Sequence, residues 1–260
     1  METIILGLVS FFASALTFFT GFGLGTILLP AFAIFLPISL AIVATAVVHL
    51  TNNFFKLFIT YKDINYRIFL LFGIPAGLAS LLGAYFLVIL EGFEQTIAWQ
   101  IKEFNFETTL IKLIIGLLII FFALFELITS FKKIAFATNL IPVGGVISGF
   151  FGGLSGHQGA LRSAFLIKLE LSKEVFIATG VAIAVLVDVL RIGVYGFALF
   201  NLQSISDSGT RELVIAAIIG GILGAVIGKR LLKSVTLRIV QFAVSGFLLI
   251  TGLVLIFGLL

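Results

Sequence analysis

Long apolar runs alternate with short polar segments along most of the chain. Six of these runs approach or exceed the ~20 residues that a helix needs to cross a hydrocarbon core about 30 Å thick. We expect each of them to be a membrane-spanning helix. The six runs are 38–60, 67–90, 109–129, 173–200, 211–231 and 236–259.

Two further apolar stretches, 4–36 and 139–168, are interrupted by glycine-rich breaks at 21–25 and 152–159. At about 1.5 Å per residue, at least three of the four resulting pieces are too short to cross the membrane. Each stretch is therefore predicted to form a re-entrant hairpin of two partial helices, although the piece 4–20 is long enough to leave a full crossing open. The pieces are 4–20, 26–36, 139–151 and 159–168.

Composition indicates a polytopic membrane protein and excludes several other classes. Apolar residues make up 61% of the 260 residues and charged residues only 11%, and the mean hydropathy is +1.29. So few charges cannot cover a water-facing surface, which excludes a soluble enzyme, a disordered chain and a coiled coil. The absence of cysteine excludes disulfides, a thiolate metal site and a cysteine nucleophile.

The basic residues indicate orientation rather than nucleic-acid binding, because most of them lie in short loops between apolar runs. If both broken stretches are re-entrant, 11 of the 16 cations share one face and 3 lie on the other. Treating the chain after residue 138 as plain crossings changes the split to 6 and 8, so the positive-inside rule favours the hairpins. This orientation predicts a multi-pass protein of the cell membrane with both termini extracytoplasmic. The 11 cations lie in 56–67, 132–133, 168–173 and 229–238.

A weak sequence repeat with an offset of 134 residues accompanies the two breaks. It aligns Gly25 with Gly159 and Ala44-Thr45 with Ala178-Thr179, and a glycine-rich run follows in each half. Three spans per half is an odd number, so the second half should be inverted relative to the first. The prediction is an all-α membrane fold of about eight helical segments in two inverted repeats, each a broken hairpin plus three transmembrane helices. The repeats are 1–130 and 131–260.

Paired broken helices in inverted halves are typical of transporters that bind substrate near the bilayer midplane and work by alternating access. Partial helices direct free N–H groups and the positive end of the helix dipole at that site, which favours an anion. Glycine at the breaks lets a ligand contact the backbone directly. The glycines predicted to line the site are Gly23, Gly25, Gly156 and Gly159.

The second break also carries polar side chains that are candidates for binding an anion. Arg162 lies in the first turn of the second partial helix, where a cation opposes the helix dipole unless an anion is bound nearby. His157 and Gln158 lie within the break itself, where they could hold an oxyanion or move a proton. The structural alternatives are an arginine that snorkels or pairs with a carboxylate, and a histidine that satisfies loop carbonyls.

A polar stripe runs along the apolar span 38–60. It consists of His49, Asn52, Asn53 and Lys56, whose spacing places all four on one helix face. Such a stripe must face the bundle interior or water. His49 is the best candidate for a substrate pathway and Asn52 is a second one. Both asparagines could instead hydrogen-bond neighbouring helices, and Lys56 is interpreted as a loop cation that sets orientation.

Asp188 and Arg191 lie one helical turn apart within the span 173–200. Two interpretations stay open. The two side chains could neutralise each other as a structural ion pair. Alternatively, Asp188 takes up a proton during transport and Arg191 sets its proton affinity.

The breaks resemble those of a known transporter family. The pattern Gly23, Gly25 and Pro30, together with the glycine-rich segment 149–159, looks like the TauE/SafE family, also called TSUP. The resemblance implies a permease of about eight helical segments for export or uptake of sulfite and organosulfonates. Further matching positions are Ala44-Thr45, Ala178-Thr179, Leu249 and Gly252.

The second break departs from the family pattern. The usual Gly-Gly-Gly run is replaced here by Gly-His-Gln-Gly at 156–159, Ala164 stands where a proline is usual, and Arg162 is added. These departures leave open whether the substrate differs from that of better-known members.

The leading hypothesis is a secondary transporter of small sulfur-containing anions, coupled to protons or to the membrane potential. The alternatives are a carrier of another small anion, such as a carboxylate, or an anion channel. No nucleophile elbow, paired metal-ligand motif or nucleotide-binding loop occurs in the sequence, so an enzyme and a cofactor are not expected. The expected partners are the small anion and the lipid bilayer; the oligomeric state and the role of 91–108 are left open.

Overall fold

The computed structural model describes residues 1–17, 23–93, 95–127, 138–198, 208–231 and 237–260. Within these ranges the chain is mostly helical, as predicted, and forms ten helices and one β-hairpin. The helices are α1 Glu2–Thr17, α2 Leu24–Ala33, α3 Ile38–Thr60, α4 Tyr66–Glu91, α5 Leu110–Leu127, α6 Ile141–Ser155, α7 Gly159–Leu166, α8 Lys173–Ala198, α9 Ser208–Leu231 and α10 Leu237–Ile256.

Four helices are long and apolar enough to cross a membrane: α3, α4, α8 and α9. Each begins and ends within a few residues of a span predicted from the sequence. The remaining two predicted spans, 109–129 and 236–259, correspond to the apolar helices α5 and α10. The chain is therefore a polytopic helical membrane protein.

Both predicted breaks separate a pair of short helices. The pair α1 and α2 corresponds to the first broken stretch, and the pair α6 and α7 to the second. Gly23 precedes α2 with a φ of +107°, and Gly156 ends α6 with a φ of +83°. Glycine adopts this left-handed conformation without a steric penalty, which explains why each break contains it. Residues 18–22, which include part of the first predicted break, lie outside the described ranges.

The helices pack in pairs that join the two predicted halves. Helix α1 packs against α9, α6 against α4, α3 against α8, and α5 against α10. Glycines permit the first two contacts: a Cβ atom at Gly220 would lie 2.1 Å from the Gly7 carbonyl oxygen, and one at Gly149 would lie 2.0 Å from that of Ala76. Lipid provides no hydrophobic driving force for the association of helices. Helices whose backbones approach this closely are therefore held together by dispersion contacts.

The segment 91–108, left open by the sequence, contains a short antiparallel hairpin. Strand β1 (Thr96–Ile101) pairs with β2 (Phe104–Thr109), which places Trp99 opposite Phe106. Both rings lie beside Phe257, just after the end of α10. The Thr108 hydroxyl also donates to the Leu255 carbonyl at 2.9 Å. The hairpin and the C-terminal end of α10 therefore share one side of the molecule.

Candidate substrate site

The two glycine breaks meet inside the bundle. A Cβ atom at Gly25, in the first turn of α2, would lie 3.7 Å from the carbonyl oxygen of Gly156, at the end of α6. The same position is 3.6 Å from Cδ2 of His49 and 3.8 Å from Cγ2 of Thr45, both on α3. The first turn of α2 therefore lies close to the end of α6, and the first break lies against the second.

A buried carboxylate joins the two predicted halves beside this contact. Oδ2 of Asp188, on α8, lies 2.6 Å from Nδ1 of His49, on α3. Asp188 is fully buried, whereas the His49 side chain is 12% exposed. Nδ2 of Asn53, one turn further along α3, lies 3.2 Å from Nε2 of His49. These contacts hold the His49 ring between Asp188 and Asn53.

Arg191 completes this network and connects it to the second break. Nε and Nη2 of Arg191 lie 2.9 and 2.8 Å from Oδ1 of Asp188, so the one-turn spacing produces an ion pair. Nη1 donates to the Gly152 carbonyl at 3.1 Å, and the Tyr195 hydroxyl donates to the Gly153 carbonyl. The Gly152 carbonyl also accepts from the Gly156 backbone N–H at 3.0 Å. Arg191 and Tyr195 therefore bind the C-terminal end of α6, within the second break.

The polar side chains of the second break are buried. His157 stacks on Phe122 of α5, with ring centroids 5.1 Å apart, and its Nδ1 lies 3.1 Å from the Ser155 hydroxyl. The Gln158 carbonyl accepts from the Ser148 hydroxyl at 2.9 Å and from the Arg162 backbone N–H at 3.0 Å. Within the described part of the chain, both atoms of the Gln158 side-chain amide are buried without a hydrogen-bond partner.

Arg162 lies where the sequence predicts it, in the first turn of α7. Its side chain is only 4% exposed. It extends along α8, since a Cβ atom at Gly180 would lie 3.3 Å from its Nε. A glycine at 180 thus leaves room for a buried guanidinium beside the break.

Comparison with known proteins identifies the family. A family model described as sulfite exporter TauE/SafE matches residues 6–255 of the 260-residue chain. The chain belongs to the TauE/SafE family. No curated protein and no solved structure matches it.

Family membership makes this chain a membrane transporter of the sulfite-exporter type. The matched region includes both glycine breaks and the Asp188 network of this TauE/SafE member. The permease suggested by the sequence motifs is thus confirmed at the level of the family.

The polar stripe of α3 faces the bundle interior in this TauE/SafE protein, as predicted, but its members do not form one site. Asn52 donates to the Ser14 hydroxyl at 2.8 Å and lies beside Gly221, in a separate contact among α1, α3 and α9. Lys56, assigned to a loop by the charge count, lies within α3 and is 6% exposed. His49 is the member of the stripe that lies 2.6 Å from Asp188.

Sequence reasoning missed several residues that shape the site of this family member. Tyr195 follows Arg191 by four residues and Asp188 by seven, so helical spacing could have included it in the α8 stripe. Ser155 and Phe122 carry no comparable signal. Phe122 is distant in sequence from the His157 that it stacks against, and aromatic residues are common throughout the chain.

Proposed function

We propose that this chain is a secondary transporter that moves small sulfur-containing anions, such as sulfite or organosulfonates, by alternating access. The observation that carries the proposal is the contact between the two breaks, where Gly25 lies against Gly156 beside a buried polar network. Irregular backbone at membrane depth is tolerated only where protein or a wet cavity surrounds it. Two such breaks in contact provide a central site that opening toward either side would expose.

The proposed site suits an anion. The first turn of α7 offers N–H groups without intrahelical acceptors, and Arg162 adds a buried cation there. His157 and Gln158 contribute polar side chains from within the break. The glycines at both breaks, where backbone can contact substrate, are Gly23, Gly25, Gly156 and Gly159.

Asp188, Arg191 and His49 are proposed to couple transport to protons or to the membrane potential. The bond from His49 to Asp188 crosses between the two predicted halves, and the two groups approach to 2.6 Å. Protonation of Asp188 would remove the charge that holds both of its partners. Such a change is the kind of event that alters the packing of one half against the other.

We also infer the inverted repeat, the location in the cell membrane and the extracytoplasmic termini. The repeat is supported by reciprocal packing: α1 on α9 and α6 on α4 are corresponding pairs of the two predicted halves. The orientation rests on the split of 11 and 3 cations, which becomes 10 and 3 once Lys56, buried within α3, is left out. Several of those cations, including Lys132 and Lys133, lie outside the described residues.

Sulfite flux into sealed vesicles tests the proposed function. We expect saturable flux in the wild type and a loss of about tenfold or more in Arg162→Ala, because a hydrogen bond from a charged group contributes about 1.5–3 kcal/mol. Arg211→Ala is the matched control, since Arg211 is exposed at the start of α9. Equal loss in both variants, or no loss in either, would contradict the proposed site.

The same vesicles separate the modes of coupling. Flux that follows an imposed pH gradient at constant membrane potential indicates proton coupling. Flux that follows only the potential indicates movement of net charge. Flux that does not saturate at any sulfite concentration would favour the channel and overturn alternating access.

A further inference from the structure

The side-chain amide of Gln158 is the starting point. The residue is 2% exposed, and neither Nε2 nor Oε1 has a hydrogen-bond partner in the part of the protein that the structure describes. An unsatisfied buried polar group costs about 1–3 kcal/mol. Most buried side-chain polar atoms of native proteins have a partner, so two such atoms on one side chain call for an explanation, such as a bound ligand.

Packing holds the Gln158 side chain against α6, close to α8. A Cβ atom at Gly152 of α6 would lie 2.9 Å from Cβ and 3.5 Å from Cδ of Gln158. The same atom would lie 3.3 Å from Cγ1 of Val187, on α8. Arg191 donates to the carbonyl of that same Gly152. Gln158 thus packs against Gly152, whose carbonyl binds Arg191, and it directly precedes the first turn of α7.

A ligand that satisfies a side-chain amide must provide both a hydrogen-bond acceptor and a hydrogen-bond donor. Its N–H groups need an acceptor, and its carbonyl oxygen needs a donor. A fully deprotonated oxyanion supplies acceptors only. A protonated oxyanion, such as HO–SO₂⁻, supplies acceptor oxygens and one O–H donor, and so satisfies both atoms of the amide.

Arg162 places a buried cation beside the second break, which suits an anionic ligand. Helix α6 has no ionisable residue between Ile141 and Ser155. Among the described residues, the buried charged side chains of α7 and α8 are Arg162, Asp188 and Arg191, and Asp188 is bonded to Arg191.

We propose that Gln158 is a specificity-determining residue that selects the protonated, singly charged form of the substrate oxyanion, which for sulfite is hydrogen sulfite. The Gln158 carbonyl accepts from the S–OH group, while its N–H groups donate to an S–O oxygen. The bound substrate then carries a proton of its own, separate from the one proposed to bind Asp188. This inference rests on the proposed function, because it concerns the same site.

Methanesulfinate, CH₃–SO₂⁻, is the matched probe for hydrogen sulfite. It carries a methyl group in place of the hydroxyl, and the two anions have the same charge and a similar shape. Flux of labelled sulfite is measured in vesicles at one fixed pH, with unlabelled sulfite or methanesulfinate as competitor. In the wild type we expect methanesulfinate to inhibit at least about tenfold more weakly, since a polar site rejects an analogue that leaves its acceptor unpaired. Hydrogen carbonate and acetate form a second pair with the same difference, and hydrogen carbonate should inhibit more strongly.

Gln158→Met keeps the length of the side chain and removes the amide. We expect the two sulfur competitors to inhibit this variant within about threefold of each other, while Gln100→Met, at an exposed position of β1, keeps the wild-type ratio. Retained inhibition by methanesulfinate shows that the variant is folded. If Gln158→Met does not reach the membrane, inhibition of the wild type by hydrogen carbonate and by acetate is compared instead, and this comparison tests the inference.

Equal inhibition by both members of a pair in the wild type, or a wild-type ratio in Gln158→Met, overturns this inference and leaves the proposed function standing. An absence of saturable sulfite flux in the wild type overturns the proposed function instead.

Discussion

Asp188 shows how a single buried charge organises this site. Its two carboxylate oxygens bind different partners, with Oδ2 on His49 and Oδ1 on Arg191. Transfer of a lone carboxylate from water into a low-dielectric interior is strongly unfavourable, so its partners are required for burial. Arg191 is equally buried, at 1% exposure. Each of these two charges therefore depends on the other.

Removal of one member of this pair should be more harmful than removal of both. Asp188→Asn leaves Arg191 buried without a compensating charge, and we expect a destabilisation of about 3–5 kcal/mol. The double variant Asp188→Asn/Arg191→Gln should recover part of that loss. Thermal unfolding in detergent micelles measures both effects.

Asp63→Asn is the control, because Asp63 is exposed beyond the end of α3 and its replacement should leave the midpoint unchanged. A single Asp188→Asn variant as stable as the wild type would show that the two charges are not interdependent.

At the scale of elements, glycine determines which helices approach closely. Along the contact between α4 and α6, a Cβ atom at Gly153 would lie 2.1 Å from the Ser80 carbonyl oxygen. One at Gly83 would lie 2.0 Å from the Phe150 carbonyl oxygen. Each distance is well inside van der Waals contact, so no side chain can be accommodated unless the two helices separate. The close approach holds the carbonyl end of α6 where Tyr195 reaches it.

A methyl group at Gly153 tests this packing. We expect Gly153→Ala to lower stability by about 1–3 kcal/mol or more, because overpacking here meets backbone rather than a flexible side chain. Gly193→Ala is the matched control, since a Cβ atom at Gly193 of α8 has nothing within 4 Å. Unfolding midpoints of both variants in micelles provide the comparison, and equal midpoints would refute the role of Gly153.

At the scale of the whole molecule, the two predicted halves are interlocked rather than side by side. Helix α1 of the first half packs on α9 of the second, and α6 of the second packs on α4 of the first. The first helix of each broken stretch, α1 or α6, therefore lies against a glycine-rich helix of the opposite half. Movement of one half relative to the other would then shift both breaks together.

A disulfide tests this interlocking, and the cysteine-free chain provides a clean background. A Cβ atom at Gly7 of α1 would lie 3.8 Å from Cβ of Ala216 on α9, which is close to the usual separation across a disulfide. We expect the double variant Gly7→Cys/Ala216→Cys to cross-link efficiently under mild oxidation. Mass spectrometry of the linked peptides detects the product.

The pair Gly193→Cys/Ala216→Cys serves as the control, because nothing lies within 4 Å of a Cβ atom at Gly193. Equal cross-linking in both pairs would contradict the packing of α1 on α9.

Much of the helical layout follows from sequence because it depends on local properties. The run 38–60 is apolar and long enough to span, and the structure forms α3 over the same residues. The left-handed Gly156 marks the second break, where its residue type indicates it. The hairpin at 96–109 was not predicted, since its aromatic residues resemble those of the flanking membrane segments and its support comes from Phe257.

The sequence by itself determined a polytopic helical membrane protein of the TauE/SafE type, broken at two glycine-rich positions, with Asp188 and Arg191 one turn apart. These features depend on apolar length, glycine stereochemistry and helical spacing, which act over a few residues. Only the tertiary structure decided that His49 reaches Asp188, that Gly25 meets Gly156, and that Asn52 lies elsewhere. The first two contacts join residues more than a hundred positions apart. All three depend on how the helices pack, which no local pattern specifies.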